Sequence, residues 1–223
     1  MFLSYNDAIK LSVDLLKYKK DLIICPNFLN INIFKDYTLC SQNAHYENDG
    51  AYTAEVSPMH LKNIGINYVL LGHSERRSFD TDEIINKKVI SALNNDITPI
   101  ICIGETMIDR NMNRTSEIIK KQIVKALKGV DKEKEIILAY EPRWLIGGNK
   151  TLSKDEILDT YKFIVKILKD LKIDKYKILY GGSVTDENIS SILLNELDGY
   201  LIGKACCDVD SLDNIIKCIK SVK

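Results

Sequence analysis

The segment from Ile136 to Lys150 reads IILAYEPRWLIGGNK, and the interpretation of the rest of the chain follows from it. Its first residues are apolar and rich in β-branched side chains, and Pro142 stops the run, which predicts a buried strand. Glu141 lies where that strand meets the next loop, a position from which a carboxylate can act as a base. A tryptophan, two glycines and a lysine follow, which is typical of a hinged lid. A solvated glutamate beside an ordinary glycine turn is the alternative that this segment alone leaves open.

Composition limits the classes of protein to which the chain can belong. Its 223 residues, 45% of them hydrophobic, suffice for one large α/β domain or two small ones. Basic and acidic side chains balance at 31 each, so we expect no nucleic-acid or anionic-membrane surface. No apolar run approaches the roughly 20 residues of a membrane span, and the opening residues do not form a secretory signal. These features predict a cytoplasmic protein with neither a membrane nor a nucleic-acid partner.

The cysteines indicate neither a metal site nor a disulfide framework. None of the six belongs to a C-x-x-C pair, and several lie inside apolar runs, where cysteine is usually a small core residue. We therefore expect no metal and no cofactor in this protein.

Apolar runs alternate along the chain with amphipathic helical patterns, after a first helix that we predict to extend to about Lys20. The runs are continuous rather than alternating, which indicates a parallel sheet covered by helices. This pattern predicts seven strands, at Leu22–Pro26, Thr38–Ala44, Tyr68–Gly72, Thr98–Gly104, Ile136–Tyr140, Lys177–Ser183 and Gly199–Gly203. An open doubly wound sheet and a (β/α)8 barrel lacking one strand at the front both fit, as a single domain over residues 1–223.

Polar residues follow the predicted strands, and in both architectures the carboxyl ends of parallel strands gather at one edge. His73 follows a strand and begins a helical turn, where its ring can donate a hydrogen bond. Gly147, Ser183, Gly203 and Lys204 follow three late strands, and glycine turns present backbone N–H groups to a phosphate. A core histidine and simple tight turns are the alternatives for these residues taken singly.

Four motifs in order give the chain a resemblance to the triosephosphate isomerase family: LGHSERR at 71–77, CIGE at 102–105, AYEPRWLIG at 139–147 and YGGSV at 180–184. The resemblance covers essentially the whole chain. It implies a (β/α)8 barrel, also called a TIM barrel. It also implies an enzyme of glycolysis and gluconeogenesis that interconverts dihydroxyacetone phosphate and D-glyceraldehyde 3-phosphate through an enediolate, without a cofactor.

The resemblance also implies residue roles. Glu141 matches the base that moves a proton between two carbons, and His73 matches the electrophile that polarises the carbonyl groups. Glu75 matches a carboxylate of the pocket. Gly147 and Ser183 match positions that bind the substrate phosphate.

Three longer features also carry over from the family. The lid corresponds to Pro142–Thr151, and Gln42–Glu55 resembles the loop that docks into the partner subunit of a homodimer. Gly203 and Lys204 stand where the family pairs two glycines, and Gly148-Asn149 stand where it usually has Thr-Gly.

The family begins with a strand ending in Asn-x-Lys-Met, and Met1 matches that methionine, so the sequence lacks the strand, the Asn and the Lys. Loss of a buried charge partner costs on the order of 2–5 kcal/mol. We expect the natural product to start upstream of Met1, which an intact mass would test. A catalytically impaired or inactive barrel of the same descent is the alternative, and another phosphate-binding barrel with different chemistry is a third.

Overall fold

The computed structural model describes residues 2–148 and 150–221. Met1 therefore lies outside the described residues, and so does Asn149 of the lid. Its centre is a sheet of seven parallel strands in sequential order. The strands are β1 (Ile23–Ile24), β2 (Thr38–Ser41), β3 (Tyr68–Leu71), β4 (Thr98–Ile103), β5 (Ile136–Tyr140), β6 (Tyr176–Tyr180) and β7 (Gly199–Tyr200). The sheet curls, and with its helices it has the architecture of a (β/α)8 barrel lacking one strand, as the resemblance predicts.

Helices lie before, between and after the strands. They are α1 (Tyr5–Asp14), α2 (Pro58–Asn63), α3 (Asp82–Asn94), α4 (Met107–Asn111), α5 (Thr115–Ala126), α6 (Lys154–Asp170), α7 (Ile189–Ile192) and α8 (Val209–Lys220). Short 3-10 helices cover Leu16–Tyr18, Phe28–Phe34, Ser74–Arg76 and Lys204–Cys207. No helix in the described part of the chain is both long and apolar enough to cross a membrane.

Strand β5 shows why the apolar runs are continuous. Every residue of β5 is buried, because both of its faces are covered. Ile136, Leu138 and Tyr140 join the large core cluster that includes the helices. Ile137 and Ala139 pack on the opposite face in a smaller cluster with side chains of β2 and β4. Because β5 pairs with β4 and β6 on its two sides, the sheet fixes the position of Glu141, the residue after Tyr140.

The two edges of the sheet differ from the prediction. The runs Leu22–Pro26 and Gly199–Gly203 form strands of only two residues each, β1 and β7. Among the described residues, each edge strand pairs with one neighbour, so half of its backbone groups lack a ladder partner. Ile23 is 43% exposed, so the prediction of a buried strand at Leu22–Pro26 was wrong for this residue.

The helix boundaries agree more closely with the sequence. Ser153 caps α6 and exchanges hydrogen bonds with Glu156 in a capping box, as its spacing predicts. Ile157, Ile164 and Leu168 are buried along one face of α6. The first helix is shorter than predicted, because α1 ends at Asp14 and the chain continues as a 3-10 turn.

Candidate active site

The niche around Glu141 is shaped by two glycines that directly follow the neighbouring strands β4 and β6. Glu141 directly follows β5, its N–H donates to the carbonyl of Ile103 at 2.8 Å, and its side chain is 4% exposed. A Cβ atom at Gly104 would overlap the Glu141 carbonyl oxygen, and one at Gly181 would lie 3.0 Å from Glu141 Cγ. The sequence therefore clears space on both sides of Glu141, for its backbone carbonyl at Gly104 and for its side chain at Gly181.

A side chain from α5 fixes Gly104 in place. Gln122 accepts the Gly104 N–H through Oε1 at 2.8 Å and donates from Nε2 to the Gly104 carbonyl at 3.1 Å. The amide thus satisfies both backbone groups of a buried glycine just beyond the end of β4, as a neighbouring strand would. It also fixes the wall against which the Glu141 backbone packs.

The surroundings of Glu141 favour the protonated form of its carboxyl group. Burial raises the pKa of Glu141, and the nearby His73 ring and Cys102 thiol act in the opposite direction. Its Oε2 is buried, and no donor within residues 2–148 and 150–221 reaches it. A buried carboxylate oxygen without a donor is costly to the fold and is free to accept a proton from a ligand.

His73 faces the same carboxylate. Its Nε2 lies 3.4 Å from Glu141 Oε1, and its ring is 24% exposed. Nδ1 accepts the backbone N–H of Glu75 at 3.4 Å, which requires an unprotonated Nδ1 and leaves the ring proton on Nε2. The Nε2–H therefore points toward the niche, so the structure brings His73 and Glu141 together.

Glu75 lies apart from this pair. Its carboxylate is 82% exposed, and Oε2 is 3.9 Å from His73 Nδ1 on the side away from Glu141. In this structure Glu75 contacts the pair through its backbone N–H, which orients the imidazole, and its charge acts on Glu141 from a distance, where it raises the pKa of that carboxyl group.

The beginning of the lid is held by a buried carboxylate, Glu105, which is fully buried at the end of β4. Glu105 accepts the indole N–H of Trp144 at 3.0 Å and the hydroxyl of Tyr140 at 3.2 Å. Arg110 lies 3.4 Å from the same carboxylate, and its guanidinium stacks 4.9 Å from the Trp144 ring centroid. Trp144 is thus bound from its edge and from its face.

The end of the lid is held by Tyr180, the last residue of β6. Its hydroxyl lies 2.9 Å from Thr151 Oγ1 and accepts the N–H of Leu152 at 3.3 Å. Both lid ends are therefore fixed to strands of the sheet, whereas Gly147 and Gly148 between them are exposed. Gly147 has a φ of +79°, which favours glycine at this position.

The predicted phosphate residues fall into two groups. Ser183 has a φ of +52°, and its hydroxyl donates to the lid carbonyl of Leu145, so Ser183 and the segment before Gly147 are in contact. Gly203 and Lys204 are exposed at the edge strand β7, where they begin the 3-10 helix Lys204–Cys207.

Comparison with known proteins agrees with this geometry. The sequence profile of the family described as triosephosphate isomerase matches residues 4–219. The triosephosphate isomerase of Thermodesulfovibrio yellowstonii is 41% identical over 210 residues, which are 89% of this chain and 85% of that protein. The enzyme of Finegoldia magna is 45% identical over 187 residues, or 79% of this chain and 74% of that protein. That of Caldanaerobacter subterraneus is 36% identical and covers 95% of this chain and 93% of its own.

The chain belongs to the triosephosphate isomerase family. The three relatives bear the name of an isomerase, so this chain is of an isomerase family and has the TIM barrel as its fold.

Some residues of this site were given no role from the sequence. Glu105 was visible as a carboxylate after a strand, but its ring of donors follows only from the folded chain. Tyr180 was visible as the first residue of the YGGSV motif but was given no role, and Gln122 had no distinguishing signal, because a glutamine in a helix is an ordinary surface residue. Each acts through contacts with residues 18 to 39 positions away in the sequence.

Proposed function

We propose that this protein interconverts dihydroxyacetone phosphate and D-glyceraldehyde 3-phosphate through an enediolate. The observation that supports the proposal most strongly is the pair of Glu141 and His73. Among the described residues no donor reaches one oxygen of the buried Glu141 carboxylate, and the other oxygen lies 3.4 Å from a ring nitrogen that carries a proton. A base and a hydrogen-bond donor at this spacing can act together on two adjacent carbon atoms of one small substrate.

The chemistry divides between the two side chains. Glu141 removes a proton from the carbon next to the carbonyl group, while His73 Nε2–H donates to the carbonyl oxygen and stabilises the negative charge that develops there. Glu141 then returns the proton to the neighbouring carbon. These are the roles that the same residue types hold in well-studied triosephosphate isomerases.

The phosphate would be held by the exposed turns and by the lid. Gly147, Ser183 and Gly203 supply backbone N–H groups and Lys204 supplies an ammonium group, which suit a dianion. Lid closure over Trp144 and Gly147 would exclude water from the enediolate, which otherwise can lose its phosphate.

A coupled assay that starts from D-glyceraldehyde 3-phosphate tests the proposal on the chain as printed. Turnover well above that of the Glu141→Gln variant is expected. In deuterium oxide the product should carry deuterium on the carbon that Glu141 reprotonates, because a carboxylic acid exchanges its proton with solvent. Turnover no higher than that of Glu141→Gln would contradict the proposal and favour the inactive barrel. Turnover without deuterium uptake would contradict the proposed base.

A homodimer is the assembly that we propose, with the segment Gln42–Glu55 at the interface. His45 is buried at the base of this segment and stacks on Tyr46 at 4.2 Å and on Tyr52 at 4.4 Å. The residues from Glu47 to Glu55 are exposed, and Tyr52 remains 43% exposed. A preformed aromatic cluster that presents an exposed tip suits docking into a second copy.

Light scattering during gel filtration tests this assembly. The mass of a dimer is expected for the wild-type chain, and a lower mass at equal concentration is expected for Tyr52→Asp. Phe79→Asp is the matched control, since Phe79 is 70% exposed on another part of the surface. A monomeric wild type, or equal effects of both variants, would contradict the proposed interface.

Glycolysis and gluconeogenesis in the cytoplasm are the setting that we propose for the isomerase activity.

A further inference from the structure

A buried arginine, Arg77, joins the ends of two neighbouring strands. Its side chain is 8% exposed. Nε donates to the carbonyl of Gly72 at 2.9 Å, and Nη2 donates to the carbonyl of Cys102 at 2.8 Å. The pairing of β3 with β4 extends to Leu71 and Ile101, so both carbonyls lie one residue beyond the paired residues. The guanidinium group therefore links the two strands just past the end of their ladder.

A third contact anchors the same guanidinium group to a helix. Nη1 donates to Oδ1 of Asp82, the first residue of α3, at 2.6 Å. Gly72 leaves room for the group, because a Cβ atom there would lie 3.3 Å from Nη2 of Arg77. Arginine presents its donors in a rigid planar arrangement, which a lysine ammonium on its flexible stem does not reproduce. The position therefore suits arginine in particular.

Both carbonyls that the guanidinium group binds lie next to the proposed catalytic pair. Gly72 directly precedes His73. Cys102 directly precedes Ile103, whose carbonyl accepts the N–H of Glu141 at 2.8 Å. The guanidinium group is thus part of the series of contacts that sets the distance between the imidazole and the carboxylate.

The charge of Arg77 also reaches the carboxylate. Burial raises the pKa of Glu141, whereas the positive charge of Arg77 is among the influences that lower it. The side chain one position earlier, Arg76, is 37% exposed and lies 3.4 Å from Asp80. Two adjacent arginines therefore have different surroundings, and Arg76 serves as a comparison for Arg77.

We propose that Arg77 is a positioning residue for the isomerase reaction, which ties the ends of β3 and β4 together, sets the spacing of His73 and Glu141, and holds a positive charge near the carboxylate. This inference rests on the proposed function. Arg77 acts through the two strand ends and needs no contact with the substrate. The effect on rate can be large, because a displacement of about 1 Å in a reacting group can lower the rate by about 10²-fold.

Titration of Glu141 in the full chain tests the role of the charge without any turnover. Glutamate labelled with ¹³C at its carboxyl carbon is followed by NMR, and Glu141→Gln assigns the signal. Arg77→Met should move the midpoint of the Glu141 titration to higher pH, because a positive charge is lost. Arg77→Lys keeps the charge and should stay closer to the wild type. Arg76→Met is the matched control, with a smaller shift expected. An unchanged midpoint in Arg77→Met, or an equal shift in Arg76→Met, would overturn the proposal.

Steady-state kinetics tests the link between the strands. Arg77→Lys should lower kcat by roughly 10- to 100-fold with little change in KM, because one ammonium group cannot hold both carbonyls in place. Asp82→Asn weakens only the anchor and should lower kcat less, and it replaces Arg77→Lys if circular dichroism shows that variant unfolded. In a folded variant, a kcat equal to that of the wild type would overturn the proposal. Absence of turnover in the wild type would contradict the proposed function, and the titration would then decide the role of Arg77.

Discussion

The centre of the sheet is packed more densely than its β7 edge. At the centre, β5 has five buried residues with a partner strand on each side, and Glu141 follows it directly. At the edge, β7 has two half-buried residues, and the exposed Gly203 and Lys204 follow after two more. The groups proposed for proton transfer are thus placed by dense packing, whereas half of the phosphate candidates are held by a single turn. The rate of proton transfer depends more steeply on atomic positions than the attraction of a dianion does. The denser packing accordingly surrounds the groups proposed for proton transfer.

The largest expected effect is the loss of the proposed base. Glu141→Gln should lower kcat by about 10²- to 10⁴-fold with little change in KM, because the amide keeps the shape but cannot take up the proton. Lys204→Met at the edge should raise KM by only a few-fold and leave kcat nearly unchanged. Steady-state kinetics on both variants measures the contrast. Similar losses of kcat from both would remove the distinction between centre and edge.

Alanine substitutions at two glycines compare how tightly the same two regions are packed. Gly104→Ala should lower the free energy of unfolding by about 3 kcal/mol or more, because its Cβ meets the backbone of Glu141. Gly203→Ala should change it by less than about 0.5 kcal/mol, since a Cβ there meets no atom of the described residues within 4 Å. Urea denaturation followed by circular dichroism measures both values. Equal costs would show that the two regions are equally tolerant.

The lid network should give an intermediate effect. Glu105→Gln retains one acceptor for Trp144 but removes the charge that faces Arg110, and the loss should be about 1–3 kcal/mol of stability. Tryptophan fluorescence reports this change locally, because Trp144 is the single tryptophan of the chain. Unchanged stability and an unchanged emission maximum in Glu105→Gln would show that Glu105 does not hold the lid.

The smallest expected effect is a gain in stability when the proposed base, Glu141, is replaced by glutamine. The pKa of Glu141 is raised in the folded protein, so the fold loses stability as the pH rises from the ordinary glutamate range through that raised pKa. Glu141→Gln avoids this loss and should be more stable than the wild type at pH 8. Below about pH 4 the carboxyl group is protonated in both the folded and unfolded chain, and the difference should vanish. Calorimetry at the two pH values measures this effect, and a wild type that is the more stable at pH 8 would contradict it.

Much of this architecture could be predicted from the residues. The apolar run Ile136–Tyr140 and the capping box of Ser153 and Glu156 depend on local chemistry, and both form as predicted. The lengths of β1 and β7 could not be predicted, because the number of ladder bonds in a strand depends on its neighbours and not on its own sequence. The family followed from four motifs, and the comparisons confirm it.

The arrangement of the site was less accessible from the sequence. The proximity of His73 to Glu141 follows from the gathering of strand ends, and the structure shows this pair in contact. The 3-10 turn after His73 forms where the sequence predicts a helical turn, but the exposure of the Glu75 side chain on that turn could not be predicted from the sequence. The roles of these residues in catalysis stay predictions.

The amide clamp between Gln122 and Gly104 has a consequence for hydrogen exchange. The Gly104 N–H is buried and bonded to a side chain of α5, so its exchange with solvent requires the separation of helix and sheet together. Its exchange rate therefore reports the opening of the whole unit around Glu141 rather than local fraying. In Gln122→Leu this amide would lose its acceptor while the packing around it persists. Comparison of the two proteins would show how far the rigidity beside the proposed base depends on one side-chain amide.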